Sequence, residues 1–349
     1  MRVRDREGLG TAPGAGTLHS IHPPVSPLRD CTAVPRSQEK LDIAARAAWM
    51  YYVAGKTQHQ IAEALAVSRP VVQRLIALAV DKQLVRVRIE HRVADCLSLA
   101  DAISKRFGLS LCEVIPCDDD QDEDLKKKLA VASADVLERF LISETPIVVN
   151  VSSGRTLKAA AIELSSILRP QHRLVSMVGT IAQDGSSNPY DVATLISEKI
   201  ACKRFLMPAP LMADTEEESR HWCSHRLYQV VERLSANADV SFIGIGHVGP
   251  DCPQEADGFI NRAEVEDLMS RGAVGELLGR SIDASGKTVD APCQRRLTSI
   301  HLQSPPRTPT IGFAGGTLKH AAVLAALKGG WLTGLVTDER CAQAVLGAA

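Results

Sequence analysis

The chain of 349 residues carries a formal net charge of −1, with 45% hydrophobic and 23% charged residues; this length suits about two domains of roughly 100–200 residues each, and the composition is that of an ordinary globular protein. No apolar run approaches the ~18 residues that would cross a bilayer, and no apolar stretch follows the N-terminal arginines as a secretory leader requires, so neither a membrane protein nor a secreted one is expected. Nine cysteines, an odd number without a CxxC pair, fit reduced thiols in the cytoplasm.

Residues 1–36 are rich in Gly, Pro, Ser and Thr without a hydrophobic period and are expected to be a disordered extension. From Glu39 to Val53, Leu41, Ala44, Ala48, Tyr51 and Tyr52 recur at steps of three and four, which predicts a helix ended at Gly55. In TQHQ, Thr57 stands three residues before Gln60, a capping-box spacing that predicts a second helix over 58–65 with Ile61, Ala62 and Leu65 inward. In SRPVVQRL, Ser68 is a favoured N-cap and Pro70 falls in a first turn, where its missing N–H has no partner to lose. A third helix therefore starts there. Val72, Leu75, Ile76 and Ala79 share one face of it, with Pro70, Arg74 and Ala77 opposite and Gln73 on the flank. LVRVRIE, 84–90, then alternates Val85, Val87 and Ile89 with Arg86, Arg88 and Glu90, as a half-exposed strand does. Three helices and a basic strand over 37–92 predict a winged helix-turn-helix.

Residues 37–92 hold nine Lys/Arg against five Asp/Glu, a balance of +4; 1–36 stand at +2, which leaves 93–349 at −7. A small basic module joined to an acidic remainder suits an anionic polymer as partner. In a helix-turn-helix the second helix of the motif enters the major groove. Arg69, Gln73 and Arg74, with Ser68 beside them, are then the base-reading candidates, since Arg matches the acceptors of guanine and Gln the edge of adenine. Thr57, Gln58, Arg86 and Arg88 would contact phosphates of double-stranded DNA.

A helix near 94–107 is predicted to link this module to the rest, 93–349. Apolar runs and helical stretches then alternate: CEVIPC, a helix over 125–142, PIVVNVS, a helix over 157–168, RLVSMVGT, a helix over 192–200, RFLMP, one long helix over 216–235, and VSFIGIG. AVGELLG, LTSIHL, TIGFAGG, a helix over 318–326, LTGLVTD and a terminal helix complete the series. The alternation predicts a Rossmann-like α/β domain around a largely parallel sheet.

VVNVSSGRT reads as strand, polar loop and helix start, where free N–H groups and the hydroxyls of Ser153 and Thr156, beside Gly154, form a candidate anion cradle. FAGGTLKH repeats the design, with Gly315 and Gly316 allowing close backbone approach and Lys319 in the following turn. Both turns would lie at the carboxyl edge of one sheet, where open α/β domains hold ligands; Gly179 and Thr180, ending LVSMVGT, belong to the same edge. GIGHVG matches GxGxxG, yet that motif should open a helix and PDCP follows at once. NAD is therefore not expected, and the segment is read as a loop lining the pocket near His247. HWCSH sets His221 and His225 four apart around Cys223 without a third ligand, so neither a metal nor a cofactor is expected. DDDQDED, 118–124, is read as a solvated loop and helix start.

The stretch YYVAGKTQHQIAEALAVSRPVVQRLIALAVDKQLVRVRI resembles the N-terminal module of the SorC family of bacterial transcriptional regulators: a Tyr pair, Gln-x-x-Ile-Ala, and Ser-Arg-x-x-Val-x-Arg-Leu. SSGRTL, NPYDVAT, PAPL, GIGHVG, GAVGELLGR, AGGTLKHAAVLAAL and LVTDE are similar to that family's effector domain in the same order. The likeness spans about residues 38–349. It departs at Ser153-Gly154-Arg155-Thr156, where many members carry Trp-Gly-x-Thr, so one pocket wall differs. The resemblance implies a regulator of a carbohydrate-catabolism operon, with a sugar, sugar phosphate or polyol bound in the C-terminal domain, Glu276 facing a sugar hydroxyl, and assembly as a homo-oligomer, dimer or tetramer. It also implies a rival, because this effector domain resembles sugar-phosphate isomerases and deaminases. Turnover needs a placed base; Asp191, Asp283, Asp338 and His247 are available, but none stands in a pattern that assigns it that role.

Overall fold

The computed structural model describes residues 36–82, 84–85, 92–117, 122–182 and 184–348. The chain divides into two compact units, the first reaching Arg88 and the second starting at Ile89. In the first, α1 (Arg36–Tyr52), α2 (Gln58–Leu65) and α3 (Arg69–Asp81) enclose a core of Ala44, Ala47, Ala48, Ile61, Ala62, Val72, Leu75, Ile76 and Ala79. The buried face of α3 is the one its periodicity marks. On α1 the inward seam runs through Ala47 and Met50. Tyr51 and Tyr52 are therefore turned outward, meeting edge to face at 5.0 Å.

The capping box forms: Thr57 N donates to Gln60 Oε1 at 2.9 Å, and Gln60 N to Thr57 Oγ1 at 3.3 Å. Ser68 has the extended backbone of an N-cap, but its hydroxyl makes no capping bond; its carbonyl accepts from Val72 N at 3.1 Å, and Pro70 lies in the first turn. The strand expected over 84–90, with Arg86 and Arg88, lies outside the described residues beyond 85, as do residues 1–35 and the acidic stretch 118–121.

The second unit begins with α4 (Arg92–Phe107), β1 (Leu111–Ile115), α5 (Asp122–Leu141), β2 (Val148–Val151), α6 (Arg155–Glu163), β3 (Arg173–Ile181), α7 (Val192–Ile200) and β4 (Lys203–Pro210). It continues with α8 (Glu216–Ser224), α9 (Arg226–Ser235), β5 (Val240–Gly244), β6 (Gly246–His247), α10 (Pro253–Ala256), α11 (Arg262–Ser270), β7 (Ala273–Leu277) and β8 (Arg280–Asp283). After a 3-10 turn over Pro292–Arg296 come β9 (Thr310–Phe313), a second 3-10 turn over Thr317–Lys319, α12 (His320–Lys328), β10 (Gly334–Asp338) and α13 (Glu339–Gly347). Seven strands pair in the order β1-β10-β9-β5-β2-β3-β4, all parallel. Helices cover both faces, so neighbouring residues of one strand serve different cores: Leu174 and Phe242 belong to one cluster, Val175 and Ile243 to the other.

Four expectations change. The helix expected over 216–235 is two, because His225 is extended and caps α9, its Nδ1 accepting from Leu227 N at 3.2 Å; His221 and His225 thus do not share a helix. The helix expected over 157–168 stops at Glu163, where Lys199 Nζ donates to the carbonyls of Ile162 and Leu164 and so satisfies its open end. LTSIHL forms no strand; it is held by single bonds such as Ile300 N to Met177 O at 2.9 Å. A small antiparallel sheet, β6-β7-β8, is also present. GIGHVG enters that sheet through β6 and is not simply a loop. Among the described residues, no helix is long and apolar enough to cross a membrane.

Candidate functional site

From β2 the chain proceeds to β3 and β4 on one side of the sheet, and from β5 to β9 and β10 on the other, although β2 and β5 are hydrogen-bonded neighbours. The gap beyond their carboxyl ends is the switch point at which open parallel sheets hold ligands. A cavity of about 390 Å³ lies there, within the common range for small-molecule sites. Its floor is the ends of three adjacent strands: Ser152–Gly154 after β2, Gly244–His247 at the end of β5 and in β6, and Gly315–Lys319 after β9. Leu125, Leu129, Val178, Leu211, Ile245, Phe259, Leu278 and Leu318 supply apolar walls.

Two of these turns need glycine. Gly154, with φ 126°, starts α6, and Gly316, with φ 91°, precedes the 3-10 turn before α12, both in the region that L side chains avoid. Each turn lies in the cavity lining and leads into a helical start, whose first N–H groups have no intrahelical partner. Ser152, buried, fixes the first turn against β5 by accepting from Gly244 N at 3.0 Å. Lys319 Nζ donates to Thr156 Oγ1 at 3.2 Å and so joins the two turns. Burial pulls the Lys319 ammonium below its ordinary pKa, opposed by the Glu276 carboxylate. Burial likewise pushes the Glu276 carboxyl up, against the Gly279 amide, which donates to Oε2 at 2.7 Å, and against Lys319. His247 is held below its usual value by burial and then by Lys319, and its Nδ1 is buried with no partner. Gly246 admits this arrangement, since a Cβ there would collide with the Glu276 carboxylate.

Ser153, Gly154, Thr156, His247, Glu276, Gly315, Gly316 and Lys319 thus all line one cavity. Gly179 and Thr180 do not. Gly179 packs directly on the Pro210 backbone, and Thr180 Oγ1 donates to Met207 O at 3.0 Å; the switch point leaves the end of β3 to hold β4 and Asn188, whose N donates to Thr180 O at 2.8 Å. The sequence reading also missed a clasp. Arg155 Nη2 meets Asp257 Oδ1 at 2.7 Å, Tyr190 Oη donates to the same oxygen at 3.1 Å, and the guanidinium lies 5.1 Å from the Tyr190 ring centre. Gln254, buried, donates to Gly279 O at 3.0 Å and leaves its own carbonyl oxygen unpaired. Arg155, inside SSGRT, and Tyr190, inside NPYDVAT, stood in quoted motifs, whereas Gln254 and Asp257 carried no local signal.

In the first unit, Arg69, Gln73 and Arg74 are exposed on the leading turns of α3. Gln73 Nε2 donates to Gln58 Oε1 at 3.2 Å, and Arg74 Nε to Pro70 O at 3.3 Å. Thr57 and Ser68 are exposed at the starts of α2 and α3. Among the described residues no cluster of three or more His, Cys, Asp or Glu could hold a metal.

Residues 91–347 match the family model described as "Putative sugar-binding domain". The chain is 33% identical over 306 residues to the erythritol catabolism regulatory protein EryD of Brucella abortus (strain 2308), covering 87% of this chain and 96% of that protein. It is 33% identical over 314 residues to the transcriptional regulator LsrR of Enterobacter sp. (strain 638), covering 87% and 93%. Its fold is similar to that of the full-length sorbitol operon regulator SorC of Klebsiella pneumoniae, with a TM-score of 0.64 at 21% identity over 88% of this chain and 98% of that one.

Proposed function

The chain belongs to the SorC family of sugar-binding transcriptional regulators, and from that premise we propose that its cavity takes a sugar, a polyol or a phosphate monoester of either, and that occupancy sets operator affinity. It is a regulator and not an enzyme, as its relatives are; the isomerase alternative has no relative among them to support it. The operon is one of carbohydrate or polyol catabolism, since EryD is named for erythritol catabolism and SorC for the sorbitol operon.

The observation that carries the effector reading is the half-buried Lys319 beside two helical starts, in one cavity with an apolar wall and the Glu276 carboxyl. A cation and open N–H groups suit a phosphate or an electron-rich hydroxyl, and Glu276, His247 and Gln254 offer polar atoms to a polyol. Arg69, Gln73 and Arg74, with Ser68 beside them, are proposed to read bases, with Thr57, Gln58, Arg86 and Arg88 at the backbone. Mechanistically, the effector binds one arrangement of the protein better than another and so shifts operator affinity by linkage. The proposed state is a cytoplasmic homo-oligomer, dimer or tetramer, whose paired heads read a palindromic or repeated site.

A thermal-shift screen with erythritol, sorbitol and their terminal phosphate monoesters tests the cavity, because a ligand of the folded state raises the midpoint with its occupancy. A wild-type shift that Lys319→Ala leaves intact overturns the assignment of the site.

A further inference from the structure

Asp338 ends β10 with no exposed surface, and a carboxylate buried so completely has to be fully engaged. Both of its oxygens are. Oδ2 accepts from Gly316 N at 2.7 Å. Oδ1 accepts from Cys341 N at 2.9 Å, which caps α13, and from the Cys117 thiol at 3.4 Å. Gly316 lines the cavity, whereas Cys341 lies in the first turn of a helix that does not. Gly315 is shaped to the same group, because a Cβ there would stand 2.7 Å from Oδ2. An N-cap needs one oxygen; the second oxygen, and the clearance made for it, serve the glycine turn.

We propose that Asp338 is a positioning residue for the effector turn Gly315–Gly316, and the link through which occupation of that turn is felt by α13. The proposal rests on the reading of the cavity as the effector site. α13 packs on α4, with Arg106 Nη1 donating to Leu346 O at 3.0 Å. The link therefore ends on the first helix of the second unit. When a ligand fills the cavity beside the turn, the Gly316 amide moves or stiffens, and the one carboxylate that holds it also holds the α13 start.

Two variants separate positioning from capping. Asp338→Ser keeps an oxygen able to cap α13, since Ser is as good an N-cap as Asp, but it cannot also reach Gly316. Asp338→Asn keeps the cap and turns an N–H donor toward the Gly316 amide. The full chain is titrated with erythritol, sorbitol and their terminal phosphate monoesters, and amide exchange is followed in the first turns of α13. For each probe that raises the wild-type midpoint, both variants are expected to bind about tenfold more weakly or worse, because the ligand must then order a turn that the wild-type carboxylate holds in place beforehand. The probe slows α13 exchange in wild type and has no such effect in the Ser variant. A Ser variant with wild-type affinity and wild-type slowing reduces Asp338 to a cap and ends the proposal. If none of the four probes shifts wild type, the cavity reading falls first and this proposal with it.

Discussion

In the first unit the described functional candidates come from one short stretch, Thr57 to Arg74, and nearly all of them stand in water. In the second they are drawn from Ser152 to Lys319 and close over a cavity. The difference teaches where each kind of recognition gets its strength. A head that reads DNA needs its side chains free until DNA arrives, so the fold has only to keep one helix face apolar and the other available. A cavity must desolvate its groups in advance, and burial there lowers the pKa of Lys319 and raises that of Glu276, so each group depends on the other and on the shape of the wall.

Substitutions can break this contrast, beginning with the largest. Lys319→Ala is expected to weaken effector binding by about 1.5–3 kcal/mol, the range for hydrogen bonds to charged groups, while DNA affinity without effector is unchanged; calorimetric titration reads the first and gel shift the second. Arg74→Ala should weaken the cognate operator by about 1–3 kcal/mol and relax preference at one base pair, with the effector-induced thermal shift intact. A uniform loss over all DNA sequences would make Arg74 a phosphate contact. Thr57→Ala removes the capping box and is expected to destabilise the first unit by about 1 kcal/mol; amide exchange should quicken in α2 and not in β2 or β5.

The smallest effect sharpens the electrostatic half of the contrast. A carboxyl whose folded pKa is raised holds its proton longer in the folded state than in the unfolded one, so its contribution to stability falls as the pH climbs above its ordinary value near 4.5. Glu276→Gln, which keeps an oxygen for the Gly279 amide, should therefore gain on wild type as the pH rises from 4.5, and lose that gain below it. Unfolding midpoints across this window decide the matter; a pH-independent difference would place Glu276 in a solvated setting.

The head was legible because its signals are local: a Thr–Gln capping pair, a proline that fits only a first turn, and a 3.6-residue period on α3. The α1 period, Tyr51 and Tyr52 included, announced a helix, but periodicity gives a stripe without saying which edge of it the partner helix covers. In the second unit, the break at His225 had no Gly or Pro to announce it. The Gly154 and Gly316 turns could be read because backbone at positive φ selects its residue on the spot. What no local pattern carries is which turns meet.

The sequence by itself therefore determined the helices of the first unit, the alternation of strands and helices in the second, the buried face of α3, the row Arg69, Gln73 and Arg74, and the two glycine turns, since each follows from steric and hydrogen-bonding rules acting within a few residues. Only the tertiary structure decided that β2, β5 and β9 lie side by side. That order brings Thr156 to Lys319 and Arg155 to Asp257 and gives Asp338 to Gly316, while it leaves Gly179 and Thr180 to the packing of β4. Strand order is set by crossovers and by burial on both faces of a parallel sheet, and those are properties of the whole chain.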